Sequence, residues 1–234
     1  MAFVFLVAAL AVAALGARAP LQPHLDEPAR PVGQRAASAR RLLLDLVGGS
    51  GGRTAMVGLV VSQLVMTLVM TMTPYHLHME GHGLETVGFV ISAHTFGMFA
   101  FSPLSGRLTD RFGAHAMVLA GFSVLAAAGL LAALTPDSGA GLAIPMFLLG
   151  IGWNLGFVAG SSLLASEAPL GDRARLQGAT DSVVWTTSAL ASFASGYVVL
   201  TSSYAALALI GTGVAVLLGA VVAIDRRGMA VAAS

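Results

Sequence analysis

Six runs of mostly apolar residues follow one another at roughly 54–75, 86–104, 115–135, 141–164, 178–200 and 203–224, with short connections between them. About 20 such residues, rising 1.5 Å each, reach across the hydrocarbon core of a bilayer. Composition agrees with this reading: 56% of the 234 residues are hydrophobic and 10% are charged, where a soluble domain carries about a quarter charged residues. The expected fold class is all-α, a polytopic membrane helical bundle. A shorter apolar run over 2–17 places one short additional span ahead of the six-span block. A signal peptide ending at Ala17-Arg18-Ala19 is the rival reading of that run, but it lacks the positive n-region of such peptides.

The arginines test the span map independently, because cytoplasmic connections are enriched in basic residues. All twelve basic residues are Arg. Arg18, Arg30, Arg35, Arg40, Arg41 and Arg53 lie between the first and second runs. Arg107 and Arg111 follow the third run, Arg173 and Arg175 the fifth, and Arg226 and Arg227 the seventh. The connections around 76–85, 136–140 and 201–202 contain none. All twelve therefore fall on one side of a seven-span map, which predicts a multi-pass protein of the cell (inner) membrane with its C-terminus in the cytoplasm. Residues 18–53 read as a cytoplasmic linker. Within it, Ala36 to Val47 has the pattern of a short amphipathic helix lying on the inner membrane surface. Residues 226–234 form a cytoplasmic tail.

Several function classes drop out. With no Cys in the chain, thiolate metal sites, disulfides and thiol catalysis are excluded. A net charge of +1 gives nucleic acid nothing to bind. No GxxxxGK[ST] loop is present, so this chain does not itself use ATP. No nucleophile-and-base constellation marks an enzyme, and no cofactor is expected. The stretch Tyr75-His-Leu-His-Met-Glu-Gly-His-Gly83 has the composition of a metal site in His76, His78, Glu80 and His82. On a continuing helix, however, His76 and His78 point to different faces. Water at the outer end satisfies all four, so an arginine-free connector without metal is the expected reading.

Ionisable or amide groups inside spans are costly and usually face a protein interior or an aqueous cavity. Four stand out: Gln63, His94, Asn154 and Asp181. Helical spacing aligns Gln63, Met66, Met70 and Thr73 on one span, and Trp153, Asn154, Phe157 and Ser161 on another. Asp181, Trp185, Ser188 and Ser192 align on a third. Gly152, Gly156 and Gly160 repeat every four residues, the small-xxx-small pattern that allows close helix contact.

The segment Ser105-Gly-Arg-Leu-Thr-Asp-Arg-Phe-Gly113 reads as a tight cytoplasmic turn, with Pro103 closing the preceding helix and Gly106 and Gly113 free to take unusual dihedrals. Gly106, Arg107, Asp110, Arg111 and Gly113 closely resemble the loop signature of the major facilitator superfamily, which joins the second and third spans of each six-helix half. The loop lies at the matching place here. Gly150-Ile-Gly-Trp-Asn-Leu-Gly156 and Arg173-Ala-Arg-Leu-Gln-Gly178 resemble the fourth helix of the family's C-terminal half and the loop after it. Ala114-His115 departs from the basic residue that usually ends the signature.

The resemblance implies a central loop plus a C-terminal half over 54–225, built as two inverted three-helix repeats at about 54–135 and 141–225. Met1 stands directly inside an apolar run, as in a truncated or internally started frame, so the partner is either a missing N-terminal half or a second copy. The resemblance further implies a secondary transporter moving a small solute by alternating access. Gln63, Met66, Met70, His94, Trp153, Asn154, Phe157, Asp181, Trp185 and Ser188 would line its cavity. Gly106, Arg107, Asp110, Arg111 and Gly113 would form its cytoplasmic gating loop. Proton-coupled efflux of an apolar or amphipathic compound is the expected variant, since aromatic, Met-rich and nearly uncharged stripes suit such ligands better than phosphates or organic acids. A non-transporting membrane fragment is the alternative, and a metal-binding protein using His76 to His82 is a further one.

Overall fold

A computed structural model describes residues 32–232 apart from residue 170. The chain divides into two units, Met1–Ala37 and Ser38–Ser234, and the helical block below, from Ser38 onward, belongs to the second. The short span expected over 2–17 lies outside the described residues.

The helices are α1 (Val32–Gly48), α2 (Ser50–Met79), α3 (Leu84–Phe99), α4 (Ser102–Phe112), α5 (Ala114–Leu134), α6 (Ala143–Glu167), α7 (Arg173–Thr201) and α8 (Tyr204–Ala232). One 3₁₀ turn, Gly139–Leu142, leads into α6. Among the described residues, six stretches are long and apolar enough to cross a membrane: Ser50–Met79, Leu84–Phe112, Ala114–Leu134, Gly139–Glu167, Arg173–Thr201 and Tyr204–Asp225. They correspond one for one to the six apolar runs.

The centre of the bundle is α6, which packs against α2, α3, α4 and α5. Close approach depends on glycine. A Cβ at Gly152 would lie 2.8 Å from the backbone nitrogen of Leu125 on α5, and one at Gly160 would lie 3.2 Å from the Ala55 carbonyl on α2. The first is nearer than packed atoms tolerate and the second is tight, so the predicted four-residue glycine repeat is the seam along which α6 meets two neighbours at once. Phe122, Leu125, Met146 and Leu149 fill the core beside it.

Two expectations need correction. The second span does not run unbroken into a turn. It stops at Phe99, passes through Ala100 and Phe101, and restarts as α4 at Ser102. Pro103 sits in the first turn of α4, where a residue without an N–H leaves no hydrogen bond unmade, so it opens a helix and does not close one. The segment read as a turn is therefore mostly helical. The reversal is compressed into Gly113, at φ 84° and ψ 146°, a backbone conformation that L side chains resist. Gly106 lies inside α4 and needs no such freedom.

The predicted amphipathic helix is present and longer than read, as α1. Leu46 is buried, and it clusters with Leu59, Leu164 and Leu176 while Leu42 and Leu43 pack alongside. Its apolar edge thus docks on protein, at the arginine-bearing end of the bundle. There the Arg53 guanidinium grips both Asp225 carboxylate oxygens, at 2.8 and 3.1 Å from Nη2. It also donates to the Gly48 carbonyl at 3.2 Å, satisfying an open acceptor at the end of α1. One side chain thereby fastens α1, α2 and α8.

Candidate functional site

Midway along the bundle, α2, α6 and α7 bring four polar side chains together. The Trp153 indole N–H donates to Gln63 Oε1 at 2.9 Å. The Gln63 amide donates in turn to Ser188 Oγ at 3.3 Å and to Thr67 Oγ1 at 3.4 Å. The two hydroxyls are 2.7 Å apart. Gln63 is 4% exposed and Ser188 6%, so an unpaired amide there would cost about 1–3 kcal/mol. None of the four carries a charge. Phe157 stacks on Trp153 with ring centroids 4.7 Å apart, and Phe99 meets the indole edge-on at 6.1 Å. The result is an uncharged polar knot with an aromatic wall, suited to hold a ligand by stacking and a few directed hydrogen bonds.

Of the predicted cavity residues, Gln63, Trp153, Phe157 and Ser188 meet here. Asn154 does not. It is one residue on from Trp153, so about 100° around the helix, and it faces the α3–α4 break. Its amide donates to the Met98 carbonyl at 2.7 Å and to Ser102 Oγ at 2.8 Å, while its oxygen accepts from Ser105 Oγ. The break leaves Met98 without its helical partner, and an open carbonyl in a span is expensive. Asn154 supplies the missing donor.

His94 is buried on α3 and donates from Nδ1 to the Met146 carbonyl of α6 at 3.0 Å, a helix-to-helix contact. Asp181 is half-buried and accepts from Gln177 one turn earlier at 2.8 Å. Trp185 is 63% exposed, so the Asp181, Trp185, Ser188 stripe is divided: Ser188 turns inward with Thr180 and Val184, and Trp185 turns out. Met66 and Met70 are half-buried on α2, and Met70 packs against the main core. In the predicted gating segment, Arg107, Asp110 and Arg111 are exposed along α4. The Arg111 guanidinium lies over the Phe112 ring at 5.3 Å.

Sequence reading missed Thr67, although its spacing of four from Gln63 marks it, and it missed Ser102 and Ser105, which gain meaning only from the helix break. It also missed the aromatic cluster of Phe96, Phe101 and Phe147, whose centroids lie 6.0 to 6.2 Å apart. At the arginine-free end, the His76 ring stacks on Tyr204 at 4.4 Å and donates from Nε2 to the Pro136 carbonyl at 2.9 Å.

Relatives of this chain are known. It is 43% identical over 161 residues to the uncharacterized MFS-type transporter YddS of Bacillus subtilis, covering 68% of this chain and 37% of that protein. YdeG of the same organism, also an uncharacterized MFS-type transporter, is 40% identical over 72% of this chain and 39% of its own length. The riboflavin transporter RfnT of Brucella anthropi is 30% identical over 77% of this chain and 42% of its own. The chain thus spans about two fifths of the curated relatives it matches. The sequence pattern of the family described as Major Facilitator Superfamily matches residues 55–228, the six membrane-crossing helices almost from end to end. With the fold and the loop signature in agreement, this multi-pass membrane protein belongs to the major facilitator superfamily.

Proposed function

We propose that this chain supplies the C-terminal half of a secondary active transporter that moves a small apolar or amphipathic solute by alternating access, as proton-coupled efflux. The observation that carries the reading is the Gln63–Trp153–Ser188–Thr67 knot against the Trp153–Phe157 stack. It offers planar aromatic surface and neutral hydrogen-bonding groups and no fixed charge, which suits an uncharged planar ring better than a phosphate or an organic acid. A relative named as a riboflavin transporter supports a planar aromatic solute. In this family solute sits between two pseudo-equivalent bundles, so these residues form half of the site. The other half comes from an N-terminal bundle or from a second copy. The arginine-bearing end faces the cytoplasm. Gln63, Trp153, Phe157 and Ser188 contact the solute. His94 of α3 and Asp181 of α7, ionisable groups set inside their spans, are the candidates for carrying the proton.

The test uses inverted vesicles holding the chain alone, or joined to the N-terminal bundle of YddS. Expected is uptake of a planar fluorescent dye on acidification of the lumen, abolished by a protonophore and reduced about tenfold by Gln63→Ala. Uptake indifferent to the protonophore would remove proton coupling. Absence of transport in either form would make the chain a non-transporting membrane fragment.

A further inference from the structure

We propose that His76, Glu80 and Asp137 form a binding site for a divalent cation of the zinc class at the arginine-free end of the bundle. This goes beyond transport and does not depend on it. His76 and Glu80 are four apart on the last turns of α2, so they share a face. Asp137 arrives from the connection between α5 and α6, and the three ligand atoms lie within 4.8 Å of one another.

The set differs from the one the histidine-rich stretch suggests. His78 is exposed on another face. The His82 ring is packed on Gly139, where a Cβ would come within 3.0 Å of both ring nitrogens. What the fold adds is Asp137, sixty-one positions beyond His76.

The imidazole is held ready. Its ring is sandwiched against Tyr204, with planes 4° apart, and the Tyr204 hydroxyl is 2.9 Å from Thr73 Oγ1. The stack fixes the plane of the imidazole. Nε2 points at the Pro136 carbonyl, 2.9 Å away, and at Asp137 Oδ1, 3.9 Å away. Bonds of about 2.0–2.2 Å put tetrahedral ligands about 3.3 Å apart, so the three groups stand slightly wider than a bound cation would hold them. The Asp137 side chain is 73% exposed and Glu80 is exposed, so both carboxylates can turn inward by the ångström or so that closure on an ion needs. A cavity of about 440 Å³ opens beside them, giving the ion a way in. On binding, the neutral ring changes tautomer: the Nε2 proton leaves to water, Nδ1 takes one from water, and the freed Nε2 lone pair goes to the metal. One imidazole with two carboxylates selects a borderline transition cation over Mg²⁺ or Ca²⁺, which prefer oxygen alone.

The purified chain in nanodiscs, stripped with chelator, is titrated with Zn²⁺ against a chromophoric competitor. The expected result is one bound Zn²⁺ that excess Mg²⁺ does not displace. Asp137→Asn and Glu80→Gln, both at exposed positions that leave folding alone, each weaken it about tenfold or more, and His78→Ala leaves it unchanged. The proposal fails if the wild-type chain binds no Zn²⁺. It fails equally if both carboxylate variants stay within about twofold, or if His78→Ala produces the loss.

Discussion

Gln63 and Asn154 are both amides buried where the bundle crosses the membrane, at 4% and 2% exposure, and the bundle uses them differently. Gln63 is bonded to side chains alone, on α6, α7 and its own helix, and an aromatic stack stands beside it. Asn154 is bonded to a backbone carbonyl and to two serines across a broken helix, and all its capacity goes to repairing that break. The first can exchange a partner for a solute hydroxyl or carbonyl. The second cannot, because releasing Met98 would strand a peptide group in hydrocarbon. An amide in a span is therefore left to side-chain partners or committed to a repair according to what the nearby backbone lacks.

Substitutions separate the two. Asn154→Leu, which keeps the volume and removes every partner, is expected to destabilise the folded chain by about 3 kcal/mol, measured by reversible unfolding in detergent. A loss under about 1 kcal/mol would erase the distinction from Gln63. Gly152→Ala acts on the seam that positions both. With no room for a Cβ, α5 and α6 must move apart, at a cost of about 2 kcal/mol, and the same unfolding measurement reads it. Gln63→Leu should cost about 1 kcal/mol of stability while reducing dye transport about tenfold; equal damage to both readouts would make Gln63 a second repair. The smallest effect is at the surface. Arg53→Lys keeps the charge and loses the fork on Asp225, so it should lower stability by at most about 1 kcal/mol, with the loss shrinking as salt is raised.

Much of this was legible before any coordinates. Span positions follow from apolar run length, because the bilayer thickness admits one helix length. Gly152, Gly156 and Gly160 announced their seam by spacing alone. The break at Ala100–Phe101 was not legible: Pro103 is compatible with the end of one helix or the start of the next, and only the donors on α6 decide between them. Trp185 and Ser188 share a periodic stripe, yet one is 63% exposed and the other 6%, because a neighbour covers an arc narrower than the stripe. Asp137 could not be joined to His76 by reading along the chain, since the connection that carries it folds back only after two further spans.

The sequence by itself determined the six apolar spans of the described block, which of their connections carry the arginines, and the four-residue glycine spacing of the fourth of them. These are consequences of local composition and period, and they need no partner to express them. The tertiary structure alone decided which polar groups meet. Trp153 with Gln63, Asn154 with Met98, Arg53 with Asp225, and His76 with Pro136 are pairings of residues brought together by helix packing, and hydrogen bonds of about 3 Å reach are settled only when the helices have been placed.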